Sequence, residues 1–128
     1  MNIIENEVSF KIRGAIFNVY NALGPGLLES IYEKALAYEL KKIGSKIETQ
    51  VEVPVCYDGQ ILDNSLRVDL LVDDLVIVEI KSVEKLIPLH HKQLLTYLRL
   101  TQKRLGILVN FNSENIAENI HRIVNNLK

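Results

Sequence analysis

From Ser9 to Leu23, Phe10, Ala15, Ile16, Val19, Ala22 and Leu23 recur at helical spacing, which predicts a helix with Ser9 as its N-cap. Gly24-Pro25-Gly26 stops it. A second helix is expected from Leu27 to Ile43, closed by Gly44. Its inner face collects Glu29, Tyr32, Leu36, Leu40 and Ile43, so an acid stands in the first turn of an otherwise apolar face. The period then changes to two. Ile47, Thr49, Val51, Val53 and Val55 alternate with Glu48, Gln50, Glu52 and Pro54, a strand from Lys46 to Tyr57 whose Pro54 marks an edge, an end or a bulge. Asp58-Gly59 signals a hairpin turn. Beyond the irregular Asp63-Asn64-Ser65, the stretch Leu66–Lys81 is two apolar, β-branched runs around Asp73-Asp74, a second hairpin. A connection containing Pro88, a helix from His90 to Thr101 and a strand from Arg104 to Phe111 follow. Asn112-Ser113 then caps an expected last helix, Glu114 to Leu127, with Ile116, Ile120, Ile123, Val124 and Leu127 inward. The order α, α, β, β, β, α, β, α predicts a mixed sheet with helices packed on it.

The second hairpin contains an anomaly. Asp69, Glu79 and Lys81 stand inside its apolar runs, where a charge is costly to bury without compensation. Glu79 and Lys81 alternate onto one face; whether Asp69 joins them depends on the turn. A two-residue turn at Asp73-Asp74 pairs Asp69 with Val78 and sends Glu79 to the other side. A three-residue loop, Asp73-Asp74-Leu75, sets Asp69 opposite Glu79, and Asp tolerates the left-handed conformation such loops use. In that register the two carboxylates stand about 5 Å apart at the backbone and raise one another's pKa. A hard cation such as Mg²⁺ relieves the conflict with oxygen ligands while keeping several waters. Lys81 is then placed to orient or polarise a water for attack on phosphorus. The plainer alternative is a cross-strand ion pair of Asp69 with Lys81, Glu79 being solvated.

Composition narrows the classes. The chain has 128 residues, 48% hydrophobic and 24% charged, which suits one soluble domain spanning 1–128. No apolar run approaches the roughly 20 residues of a membrane span, and Met-Asn-Ile-Ile-Glu-Asn-Glu has no leader pattern. The lone Cys56 reads as a plain strand residue. A cytoplasmic protein is expected. The net charge of −1 argues against an indiscriminate duplex-DNA coat. Yet Lys85, Lys92, Arg99, Lys103 and Arg104, with His90 and His91, run without an acid between them, a candidate anion-binding face. The two histidines read as helix-opening or surface residues.

Asp69 followed by Glu79-Ile80-Lys81 on the next strand, then helix and strand, resembles the PD-(D/E)XK nuclease superfamily, with Val68 where a Pro is usual. Gly26-Leu27-Leu28-Glu29-Ser30-Ile31-Tyr32 is similar to the signature of the GxxExxY protein family. Gln93-Leu94-Leu95-Thr96-Tyr97 resembles the Q-x-x-x-Y element of RecB-like nucleases. The resemblance implies an α/β fold with a restriction-endonuclease-like αβββαβ core, flanked here by an extra N-terminal and an extra C-terminal helix. It implies a Mg²⁺-dependent nuclease acting on DNA or RNA, with Mn²⁺ as a substitute ion. Asp69, Glu79 and the Ile80 carbonyl would be metal ligands, Glu29 would complete the metal site or support it, and Lys81 would activate water or stabilise the transition state. Tyr32 would position Glu29. Gln93 and Tyr97 would hold the substrate backbone or support Lys81, and Lys92 and Arg99 would contact substrate phosphates. Nucleic acid is the implied partner, with a homodimer or a second protein supplying surface that so small a chain lacks. The competing reading is a non-catalytic nucleic-acid- or protein-binding domain on the same fold, acting within a larger complex.

Overall fold

The computed structural model describes residues 3–127; Met1 and Asn2, the first positions of the stretch read for a leader, lie outside the described residues, as does Lys128. Two helices, α1 (Ile3–Leu23) and α2 (Glu29–Lys42), precede strands β1 (Ile47–Tyr57), β2 (Gln60–Val72) and β3 (Val76–Lys81). Helix α3 (Pro88–Thr101) crosses over to β4 (Leu105–Asn110); a short 3-10 helix (Ile116–Asn119) then leads to β5 (Ile120–Val124). The five strands lie in chain order, antiparallel except for the parallel β3–β4 pair. This is a mixed α/β sheet, and the order α2, β1, β2, β3, α3, β4 is the αβββαβ core that the resemblance implies.

Both sheet faces are covered. Val8, Ile12, Ile16 and Val19 of α1 and Tyr32, Leu36 and Leu40 of α2 pack on Leu70, Val72, Val76, Val78 and Ile80. On the other face Leu94, Tyr97 and Leu98 of α3 pack on Leu71, Ile77 and Leu108. Gly106 lets α3 sit close: a Cβ there would meet three Leu94 side-chain carbons at 3.0 Å. Covering both faces explains the nearly continuous apolar runs of β3 and β4.

Three expectations change. The first helix starts at Ile3, so Ser9 is interior rather than a cap. Its early turn is anchored by buried Glu5, whose carboxylate accepts from Arg104 Nη2 at 2.8 Å and Nε at 3.1 Å. Phe10, Ala22, Leu23, Glu29, Ile43 and Val124, read as inward, are exposed. The C-terminal helix is absent; its segment is the 3-10 turn and β5. Ile116, Ile120 and Ile123 imitate helical spacing, but Ile120 packs against the α1/α2 side and Ile123 against the α3 side. Only a strand sends residues three apart to opposite faces. By pairing with β4, this β-branched segment covers the sheet edge that β4 would otherwise present.

Both hairpin turns form with the expected residues. Asp58 and Gly59 take φ +51° and +77°, as a primed two-residue turn requires. The second hairpin pairs Val72 with Val76, Leu71 with Ile77 and Leu70 with Val78, which leaves Asp73, Asp74 and Leu75 as a three-residue loop. Asp73 and Asp74 are left-handed at φ +53° and +61°.

Candidate functional site

The register that closes this loop sets Asp69 opposite Glu79. The regular β2–β3 pairing stops one residue earlier, and side chains take over its hydrogen bonds. The Asp69 amide donates to Glu79 Oε2 at 2.8 Å, and the Ile80 amide donates to Asp69 Oδ2 at 2.7 Å. Here β2 also rotates. Leu66 and Val68 pack on the α3 side, whereas Leu70 and Val72, of the same parity, pack on the α1/α2 side. Asp69 is the residue at that switch. The strands therefore part at the two carboxylates.

Burial raises both carboxyl groups. Glu79 is pushed up to about 8, first by burial and then by the Asp69 charge, against the opposing Asp69 amide and Lys81 ammonium. Asp69 is raised by burial, a change opposed by the Ile80 amide, Gln50 and Lys81. Lys81 is half-buried and its field acts on both acids. This contradicts the plainer alternative in one respect: Glu79 is 6% exposed, not solvated.

Glu29 opens α2 and its Oε2 accepts from the Ser82 amide at 3.1 Å, directly after Lys81. Ser82 Oγ in turn donates to the Leu27 carbonyl at 2.6 Å. Glu29 is thus tethered to the end of β3, and its charge reaches Asp69 and Glu79. Tyr32 sets the approach to α2. Its hydroxyl donates to the Gly24 carbonyl at 2.5 Å and accepts from the Leu27 amide at 3.1 Å, while its ring stacks on Phe111 at 4.3 Å. Gly24 and Gly26 take φ +69° and +100° in that turn, which is what their place before the helix requires.

On α3, Tyr97 is buried, and the charges of Glu79 and Asp69 add to burial in raising its phenol. Gln93, one turn earlier, and Lys92 are exposed. Arg99 is at the far end of the helix, lining a separate hollow with Gln102, Arg104 and Asn125. His90 Nδ1 accepts from the Ile87 amide at 3.1 Å and so opens the helix, as its position suggested. His91 meets His121 of β5 edge-on.

A paired acid and acid–x–lysine at the parting of two strands, with a helix-borne acid behind it, is the arrangement the sequence resemblance describes. A family model of the PD-(D/E)XK nuclease superfamily matches residues 6–123. The chain belongs to the PD-(D/E)XK nuclease superfamily. Comparison with curated proteins and with solved structures gives no match. No described helix is long and apolar enough to cross a membrane.

Members of this superfamily generally use divalent metals. Among the described residues no three His, Cys, Asp or Glu side chains converge as a ready metal cluster. The donor chemistry nevertheless fits: the buried Glu79 and the half-buried Asp69 face one another beside the Ile80 carbonyl, and Mg²⁺ needs only one or two protein carboxylates because it keeps its waters. Each acid has one oxygen bound to a backbone amide, at Asp69 Oδ2 and Glu79 Oε2. Asp69 Oδ1 and Glu79 Oε1 are the complementary oxygens.

Four residues escaped the sequence reading. Ser82 holds Glu29. Asn110, 1% exposed, accepts from the Val83 and Asn112 amides and donates to the Val83 carbonyl, fixing the loop after Lys81. Gln50 Nε2 donates to Glu33 Oε1 at 2.6 Å and Asp69 Oδ1 at 3.3 Å. Glu33 is one helical turn beyond Glu29, a spacing that could have revealed it; the other three carry no signal beyond residue type.

Proposed function

We propose that this nuclease-superfamily domain is a metal-dependent nuclease that hydrolyses phosphodiester bonds of DNA or RNA, with Mg²⁺ as its ion and Mn²⁺ as a substitute. The observation that carries it is the exchange of strand pairing for carboxylate–amide bonds at Asp69 and Glu79, which leaves two destabilised acids beside Lys81. Asp69, Glu79 and the Ile80 carbonyl would hold the ion, with Glu29 behind them. When bound, the metal supplies charge stabilisation at the phosphoryl oxygens. Lys81 orients a water and holds its proton donors toward the phosphate. Tyr97 borders the acids from α3, and Gln93 and Lys92 on the same helix are suited to the nucleic-acid backbone; Arg99 would touch only a longer substrate.

The GxxExxY branch and the RecB-like element are part of this reading, the first supported by Tyr32 acting through the turn that sets Glu29 and the second by Tyr97 lying in the field of both acids. So are a single domain over 1–128, a cytoplasmic setting, and a homodimer or partner protein that extends the binding surface. The competing reading, a non-catalytic binding domain, draws on the lack of three converging metal-binding side chains among the described residues.

The test is incubation with labelled single-stranded, duplex and branched DNA and RNA plus Mg²⁺ or Mn²⁺. Wild type is expected to cut a substrate that Asp69→Ala and Lys81→Ala leave intact. Equal cleavage by all three identifies a contaminant and removes the enzymatic reading, whereas binding without cleavage supports the competitor.

A further inference from the structure

Gln50 stands opposite Asp69 across the β1–β2 pair, between the registered pairs Thr49–Leu70 and Val51–Val68. Its backbone is left-handed, φ +51°, a conformation that costs a non-glycine residue free energy and that persists where surroundings impose it. Its effect on the strand is visible. Ile47 packs on the α1/α2 side and Val51 and Val53 on the α3 side, although all three share a parity. The same twist brings the Gln50 amide nitrogen between Glu33 of α2 and Asp69 of β2. An extended, unstrained residue would keep β1 regular and lose this bridge.

We propose that Gln50 is a positioning residue for the metal site: its amide, delivered by the left-handed backbone, ties Asp69 to Glu33 and fixes the direction of the Asp69 carboxylate. The inference rests on the nuclease reading in that Asp69 must be a metal ligand. Hydrogen bonds that orient a ligating carboxylate typically alter metal affinity 10–100-fold. The strain lowers the stability of the domain, whereas the amide acts on metal affinity, so the two effects can be measured apart.

Gln50→Gly and Gln50→Ala test this. Both remove the amide, but only glycine relieves the backbone. The Gly variant is expected to melt about 3–6 °C above the Ala variant in metal-free buffer. Both are expected to bind Mn²⁺ about 10–100-fold more weakly than wild type by calorimetry, and to a similar degree. Their cleavage rates should approach wild type at saturating Mn²⁺. Affinity that follows melting temperature, with Gly close to wild type and Ala poor, overturns the proposal in favour of a purely structural role. Unchanged affinity in both variants also overturns it, while leaving the nuclease reading intact. Wild type that binds no Mn²⁺ and cuts nothing removes the nuclease reading and this inference together.

Discussion

Asp69 and Glu79 face each other across β2 and β3, and each carboxylate reaches the opposite strand: Glu79 takes the Asp69 amide and Asp69 takes the Ile80 amide. The acids serve as hydrogen-bond partners of the sheet, and burial there opposes the charge of each.

Stability of the metal-free protein should therefore fall as pH rises. Glu79 titrates near 8 in the fold against 4.5 as its ordinary value. The folded state keeps a proton that the unfolded chain has released, so the stability contribution is complete below about pH 4.5 and lost on the way up through about pH 8. Thermal melts in EDTA from pH 5 to 9 should show this decline, and Glu79→Gln should flatten it. Mn²⁺ should raise the melting temperature more at pH 8 than at pH 6, because ligation requires the deprotonated acid. A wild-type profile parallel to that of Glu79→Gln would refute the assignment.

Tyr32→Phe keeps the stacking on Phe111 but leaves the Leu27 amide and the Gly24 carbonyl without their hydroxyl partner. The expected cost is about 1–3 kcal/mol in urea unfolding. Cleavage should fall further than stability explains, because the same turn carries Glu29.

Gly106→Ala is expected to destabilise by about 1–2 kcal/mol through overpacking against Leu94. In the background of Leu94→Val the same change should cost less. A double-mutant cycle on unfolding free energies reads this coupling, and additive effects would show that α3 does not sit as close to β4 as described.

Asn110→Ala removes the partner of two amides and one carbonyl in the loop after Lys81. A loss of about 2–3 kcal/mol is expected. Hydrogen exchange should rise at Val83 and Asn112 while the amides of Ile77 and Val78 remain protected.

The central strands and the three-residue loop were legible because their causes are local: β-branched runs, a turn with two aspartates, a parity that admits one answer. That Asp69 and Glu79 meet across the hairpin, with Lys81 two residues on, could be read from the same stretch because charges interrupt it. The end of the chain misled because Ile116, Ile120 and Ile123 satisfy helical spacing, and only the open edge of β4 decides for a strand. The start of α1 was missed because Glu5 is buried by Arg104, 99 residues away in sequence. Gln50 was invisible for a related reason: its alternating neighbours predict a regular strand, and its partners Glu33 and Asp69 lie 17 and 19 residues away in sequence.

The parting of β2 from β3 has a consequence for how such a domain can change. At neutral pH a carboxyl raised by burial subtracts from folding free energy, and the pairing that stops at Leu70 and Val78 is strand length forgone. Apolar residues at 69 and 79 could zip the seam and give a sturdier protein. Selection for robustness alone would favour closing this seam.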